Sequence, residues 1–283
     1  MGGASITERY RAKYVNWSAD FRLKSLWVRG THARSSPQSG TAQPAPAKAS
    51  KAMSVDHLSE RYEETLTRIA TAASQYGRPA GSVTLLAVSK TQSAQVIRDL
   101  AALGQRDFGE NYLQEALEKR ALLADLPLTW HFIGQMQANK TRPVAEQFAW
   151  VHTVDRERIA VRLNEQRSPH LPPINVCIQV RLADEPGKGG IEPDGVAALA
   201  GRIRELPRLR LRGLMALPPP RDSFDEQKAL FDRLTALLQQ LNAQGFGLDT
   251  LSMGMSGDLE AAVAAGSTLV RIGTALFGER IKT

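Results

Sequence analysis

Cysteine is almost absent from this chain: Cys177, in the apolar segment INVCIQV, is the only one among 283 residues. A single cysteine excludes an internal disulfide framework and a zinc site built from several cysteines. Runs of about 18 apolar residues are also missing, and the longest apolar stretches, such as LLAV before Ser89, have the length of a strand. We therefore predict no membrane span, no metal site and a reducing compartment, the cytoplasm.

The net charge of +7 is not distributed evenly along the chain. Residues 1–52 contain nine Lys and Arg against two acidic residues, and the remainder contains 27 of each sign. The body of the protein therefore has no charge excess that would attract a phosphate backbone. We predict no nucleic-acid partner for that body.

The basic segment 1–52 ends in the Ser-, Pro- and Ala-rich stretch SSPQSGTAQPAPAKASKA. Such a composition cannot bury enough surface to offset chain entropy, and it predicts a disordered N-terminal extension. The segment lacks the apolar core of a secretory signal, which leaves three interpretations: an upstream or accessory extension before a start at Met53, a mitochondrial transit peptide, or a nucleic-acid-binding arm. We predict one folded domain over residues 53–283.

Helical and strand patterns alternate from Met53 onward. A first helix is predicted after an N-cap at Ser54, because apolar residues recur at intervals of three or four through Leu58, Tyr62 and Leu66. Eight strands are predicted, namely TLLAVS, RDFG, TWHFIG, WVHTV, INVCIQV, RLRGLMA, TLSMG and TLVRIG. Helices are predicted between them over 93–103, 112–123, 140–148, 155–166, 193–206, 225–241 and 257–264.

Eight alternations of this length predict an α/β fold, a single (β/α)8 TIM-like barrel. The alternative is an open doubly wound sheet, but no G-x-G-x-x-G follows the first strand. In such barrels the chemistry lies where strands end, and polar or functional side chains follow these strands. The residues singled out there are Lys90, Asn111, His131, Met215, Ser252, Met255, Arg271, Gly273 and Thr274.

Lys90 is either an ordinary solvated lysine at the end of a strand or a functional amine. A lysine inside a ring of strand ends is partly desolvated, and this makes it a competent Schiff-base nucleophile. Ser252, Gly254 and Ser256 open one predicted helix, and Gly273 with Thr274 opens another. Backbone N–H groups at helix starts beside hydroxyl residues suit a phosphate dianion, although each turn alone could be an ordinary cap.

The segments LLAVSKT, DFGENYLQE, WHFIGQMQANK, GLMALPPP and LSMGMSGDLEAAVAAGSTLVRIGTALFG together resemble the pyridoxal phosphate homeostasis protein family. The resemblance runs from about Met53 to Phe277 and implies a fold-type III barrel related to that of alanine racemase. It implies pyridoxal 5′-phosphate (PLP) as cofactor, with amino acids and cofactor-free PLP enzymes as further partners. It leaves a monomer and a weak dimer open.

The resemblance also implies roles for individual residues. Lys90 would form the internal Schiff base, Arg271 would face the pyridine nitrogen, and Ser252, Gly273 and Thr274 would surround the phosphate. The residues that would line the pocket are Asn111, His131, Met215 and Met255. The chain departs from the family pattern at Gly257, where an acidic residue is usual, and at Gly190, where a serine is common.

Arg271 bears on whether the protein is an enzyme. A protonated guanidinium only donates hydrogen bonds, so it would keep the pyridine nitrogen unprotonated and weaken the ring as an electron sink. The related racemases add a tyrosine base from a further domain, whereas this sequence has no tyrosine after Tyr112. We therefore expect a non-catalytic PLP-binding protein of vitamin B6 and amino-acid or keto-acid balance. A weak PLP-dependent amino-acid racemase is the alternative.

Overall fold

Eight parallel strands close into a barrel in the computed structural model, which describes residues 55–183 and 189–278. Each strand pairs with its neighbours in chain order, and β1 closes the ring against β8. The strands are β1 Thr84–Val88, β2 Asp107–Glu110, β3 Thr129–Phe132, β4 Trp150–Val154, β5 Ile174–Gln179, β6 Leu209–Met215, β7 Thr250–Ser252 and β8 Leu269–Ile272. The predicted barrel is confirmed, and all eight predicted strands are present.

Nine α-helices accompany these strands in the described ranges: α1 Val55–Gln75, α2 Ala94–Ala102, α3 Leu113–Leu122, α4 Thr141–Gln147, α5 Glu157–Gln166, α6 Val196–Arg204, α7 Phe224–Ala243, α8 Leu259–Ala264 and α9 Thr274–Phe277. Serine caps fix two helix starts, because the hydroxyls of Ser93 and Ser223 accept bonds from the amides of Val96 and Glu226. The helix predicted over 193–206 begins as the tight 3-10 turn Pro193–Gly195, which is common at helix N-termini. Ser54 and the extension 1–52 lie outside the described residues.

Side chains of each strand alternate between two cores, because successive residues of a strand point to opposite faces. Leu85 and Ala87 belong to the main core between barrel and helices, whereas Leu86 packs with Ile133 and Leu269 in a separate cluster. The strands thus support an outer ring of helices and a filled interior. Since all eight strands are parallel, their carboxyl ends meet at one rim.

No helix in the described part of the chain has both the length and the apolar character needed to cross a membrane.

Candidate functional site

The predicted site residues lie within four of the strands or directly after strand ends, at the rim that the strands share. Lys90 follows β1 by two residues, and Asn111 comes directly after β2. Met215 and Ser252 end β6 and β7 and are paired in register. Gly273 and Thr274 follow β8 at once, so that the fold brings residues from distant parts of the sequence to one end of the barrel.

Arg271 in β8 is the most buried charge of this site, with 4% of its surface exposed. Its Nη1 donates to the carbonyl oxygen of Ser252 at 2.5 Å and to Ser252 Oγ at 3.0 Å, and its Nη2 donates to the carbonyl oxygen of Ala216 at 2.9 Å. Burial lowers the pKa of Arg271 to about 10, although the negative charge of Asp258 partly opposes this shift. The guanidinium is therefore still protonated at neutral pH and donates hydrogen bonds only.

A chain of hydrogen bonds runs from Arg271 through the barrel interior. Ser252 Oγ lies 2.8 Å from His152 Nδ1, and His152 Nε2 lies 3.0 Å from His131 Nδ1. His131 Nε2 lies 3.0 Å from Asp107 Oδ1, at the start of β2. The chain thus links the rim to the opposite end of the barrel.

The partners at the two ends lead to one consistent assignment of these bonds. Arg271 can only donate and the Asp107 carboxylate accepts, so we assign Ser252 Oγ as the acceptor from Arg271 and the Ser252 hydroxyl as the donor to His152 Nδ1. His152 Nε2–H then donates to His131, and His131 Nε2–H donates to the Asp107 carboxylate. Burial, together with the positive charge of Arg271, lowers the pKa of His152 well below 6.5 and keeps the ring neutral, as this direction requires.

The glycine turn after β8 lies beside the end of β1 and the loop after β7. A Cβ placed on Gly273 would lie 3.5 Å from Val88, two residues before Lys90. The amide of Ala275 donates to Ser256 Oγ at 3.3 Å, so Ser256 is the serine that reaches this turn. Gly254 lies in the left-handed region at φ +96°, where a Cβ would come within 2.5 Å of the Ala262 side chain. The loop after β7 therefore needs glycine at this position.

The remaining predicted residues differ in their surroundings. Met215 is fully buried at the end of β6, while Met255 is 38% exposed beyond β7. His131 stacks on Trp150 with ring centroids 5.4 Å apart. Its imidazole lies in the barrel interior, where it reaches Ser252 only through His152. The backbone of Asn111 packs closely on the segment after β3, since a Cβ on Gly134 would lie 2.0 Å from the Asn111 carbonyl oxygen.

Sequence reasoning did not single out His152 and Lys119. His152 interrupts the apolar strand WVHTV, and a polar residue at the centre of a buried strand is a signal that could have found it. Lys119 is buried, although a lysine in a helix is usually expected on the surface. Its ammonium contacts the segment around Lys90, at the Ser89 carbonyl oxygen.

Three buried polar atoms near the rim have no hydrogen-bond partner among residues 55–183 and 189–278: Glu110 Oε2, Asn111 Oδ1 and Arg181 Nε. Unpaired buried groups are rare and invite a ligand or water that satisfies them. Together with the lysine after β1, the buried guanidinium and the turn of small residues after β8, they fit a polar ligand at this rim. The described residues include no group of three or more His, Cys, Asp or Glu side chains suited to a metal ion.

Known proteins resemble this chain over most of its length. Residues 65–281 match the family model of the alanine racemase N-terminal domain. The pyridoxal phosphate homeostasis protein of Pseudomonas aeruginosa is 58% identical over 223 residues, covering 79% of this chain and 96% of that protein. The Escherichia coli protein of the same name is 48% identical over 229 residues, covering 80% and 98%.

A solved structure also matches. PipY of Synechococcus elongatus with PLP bound is 38% identical and superposes with a TM-score of 0.69, covering 78% of this chain and 100% of that one. These matches cover most of the chain and nearly all of each relative. The chain therefore belongs to the pyridoxal phosphate homeostasis protein family, within the alanine racemase N-terminal domain group.

Proposed function

We propose that this protein binds PLP through a covalent bond to Lys90 and acts in PLP homeostasis as a carrier without turnover of its own. The observation that carries the proposal is the meeting of a strand-end lysine, a buried guanidinium and a turn of small residues at one barrel rim. The relatives named pyridoxal phosphate homeostasis protein and the PLP-bound structure of PipY support the same ligand.

The phosphate is assigned to the turn after β8, with Gly273, Thr274 and Ser256. The bond from the Ala275 amide to Ser256 Oγ supports this choice, because it brings a hydroxyl to backbone amides at the start of α9. Ser252, predicted for the phosphate from the sequence, has its hydroxyl engaged by Arg271 and His152. We therefore propose that Ser252 holds Arg271 in place.

The pyridine nitrogen is assigned to Arg271. When bound, PLP supplies an aldehyde that reacts with an amine and a ring that accepts electrons most strongly when its nitrogen is protonated. Because Arg271 stays protonated at neutral pH, it offers that nitrogen a donor and no proton acceptor. The residue thus favours binding and disfavours carbanion chemistry.

The pocket walls are assigned to Asn111, Met215 and Met255, with His131 as their support from the barrel interior. The unpaired Asn111 Oδ1 supports its contact with a ligand. His131 contacts Asp107, Trp150 and His152, and we propose that it orients His152 and touches no ligand. The single buried cysteine supports a cytoplasmic location.

The proposal is tested by adding PLP to the wild-type protein and to two variants, followed by absorbance. Lys90→Ala should abolish the band of the lysine-linked cofactor, because the proposed bond requires the primary amine of Lys90. Lys140→Ala removes an exposed lysine and should leave the band unchanged. An undiminished band in Lys90→Ala would contradict the assignment.

Turnover is tested separately, with alanine, serine, glutamate and lysine in deuterated water. If the protein is a carrier, it should exchange the α-hydrogen of these amino acids no faster than free PLP does. NMR detects this exchange even when no net product forms. Rapid exchange that depends on Lys90 would instead identify a racemase-like activity. Amino acids and cofactor-free PLP enzymes are the partners that we propose for the carrier.

A further inference from the structure

Lys119 of α3 holds its ammonium group in a buried position, where it meets three acceptors. Its Nζ donates to the Ser89 carbonyl oxygen at 2.7 Å, to Glu110 Oε1 at 2.9 Å and to Glu115 Oε1 at 2.5 Å. An ammonium has three hydrogens to donate, so these bonds use all of them. We call Lys119, Glu110 and Glu115 the anchor cluster.

The anchor cluster binds the chain on both sides of Lys90. The Ser89 carbonyl, in the peptide group before Lys90, accepts from Lys119. The Thr91 amide, in the peptide group after Lys90, donates to Glu115 Oε1 at 2.5 Å. The Ser89 hydroxyl also donates to Glu110 Oε1 at 2.6 Å.

Two fixed peptide groups determine the backbone angles of the residue between them. The direction in which the Lys90 side chain leaves the backbone therefore depends on the anchor cluster. Thr91 adds to this dependence, because it is the one non-glycine residue in the described ranges with a positive φ, +67°. A β-branched residue rarely adopts this conformation, and surrounding bonds must hold it there.

The composition of the anchor cluster argues for a positioning role. Burying the ammonium of Lys119 with the carboxylate of Glu110 costs desolvation energy that apolar side chains of similar size would avoid. Glu110 is fully buried, and its Oε2 has no partner within the described part of the chain. Burial raises the pKa of Glu110, because the charged carboxylate loses its hydration. An arrangement chosen for stability alone would not need these charges.

We propose that Glu115 and Lys119 are positioning residues, which fix the backbone on both sides of Lys90 so that its amine meets the ligand aldehyde. The proposal rests on the proposed function of Lys90 and adds two residues that do not touch the ligand themselves.

The test uses the full chain without cofactor and the variant Glu115→Met, which keeps side-chain volume and removes the acceptor of the Thr91 amide. Glu118→Ala is the matched control, since Glu118 is an exposed residue of the same helix bonded to Gln114. Hydrogen exchange at the Thr91 amide should become about tenfold faster in Glu115→Met. The bond between Lys90 and added PLP should form about tenfold more slowly. Both quantities should stay unchanged in the control.

Glu115→Gln keeps a side-chain oxygen that accepts from the Thr91 amide. Its Thr91 exchange rate and its rate of PLP bond formation should therefore be close to the wild-type values. Such a recovery would not be expected if Glu115→Met acted only by lowering overall stability. If Glu115→Met fails to fold, Glu115→Ala gives the same readouts with less side-chain bulk. The proposal would be overturned if a folded Glu115→Met or Glu115→Ala variant kept the wild-type rate of Thr91 amide exchange and the wild-type rate of bond formation between Lys90 and PLP. Absence of a PLP bond to Lys90 in the wild-type protein would instead refute the proposed function, and Thr91 exchange would still test the anchor.

Discussion

Replacing His152 by glutamine should change stability in a way that depends on pH. His152 is fully buried between Ser252 and His131. The longer, flexible glutamine side chain places its amide differently from the two ring nitrogens, and we expect it to lose the hydrogen bond to one of these two partners. The other becomes an unpaired buried group, which costs about 1–3 kcal/mol. His152→Gln should therefore lower the free energy of unfolding by this amount at neutral pH.

The sign of the pH effect follows from the lowered pKa of His152, which burial holds well below 6.5. Below pH 6.5 the unfolded chain binds a proton at this residue that the folded protein does not bind. The contribution of the neutral His152 to stability is therefore complete above this pH and decreases as the pH falls below it. The linkage relation gives a loss of about 1.4 kcal/mol between about pH 7.5 and about pH 5.5.

Urea unfolding of both proteins at these two pH values measures the effect. Glutamine does not titrate, so the stability gap between wild type and His152→Gln should shrink by about 1.4 kcal/mol at the lower pH. A gap that is equal at both pH values would refute the neutral, buried His152 and with it the direction of the hydrogen-bond chain.

Three further predictions concern the site and the domain boundary. Gly134→Ala should lower the free energy of unfolding in urea by more than about 2 kcal/mol and weaken PLP binding, because the new Cβ would lie 2.0 Å from the Asn111 carbonyl oxygen. Unchanged PLP affinity would contradict the placement of Asn111 at the pocket. Arg271→Glu should let the ring nitrogen hold a proton and increase α-hydrogen exchange into deuterated water relative to wild type, with weaker PLP binding; NMR that finds no increase would contradict the electronic role of Arg271. A chain shortened to residues 53–283 should match the full chain in circular dichroism and PLP affinity, and a clear loss of affinity would show that the extension contributes to the site.

The barrel was predictable because its strands carry a local signal. TLLAVS, INVCIQV and TLVRIG are short apolar runs bounded by turns or polar residues, and eight such runs alternating with amphipathic segments leave few topologies. Lys90, Asn111 and Gly273 followed from the same reasoning, because the ends of parallel strands meet at one rim. Their chemical roles came from the family resemblance.

The interior contacts were not predictable, because they join strands that are far apart in sequence. Ser252 and Ser256 look equally suited to a phosphate in the sequence, and only the bonds to Arg271 and the Ala275 amide distinguish them. Lys119 has the helical spacing of a surface ion pair with Glu115, and nothing in that spacing shows that both reach the backbone around Lys90.

The central claim, that Lys90 carries the cofactor, is tested most directly by borohydride reduction of the PLP-loaded protein, followed by proteolysis and mass spectrometry of the peptides. Reduction makes the bond between lysine and cofactor permanent, so the modified residue can be read from the peptide. The account predicts one pyridoxyl adduct on the peptide that contains Lys90, and the same result for Lys188→Ala. A principal adduct on any other lysine, with Lys90 unmodified, would contradict it.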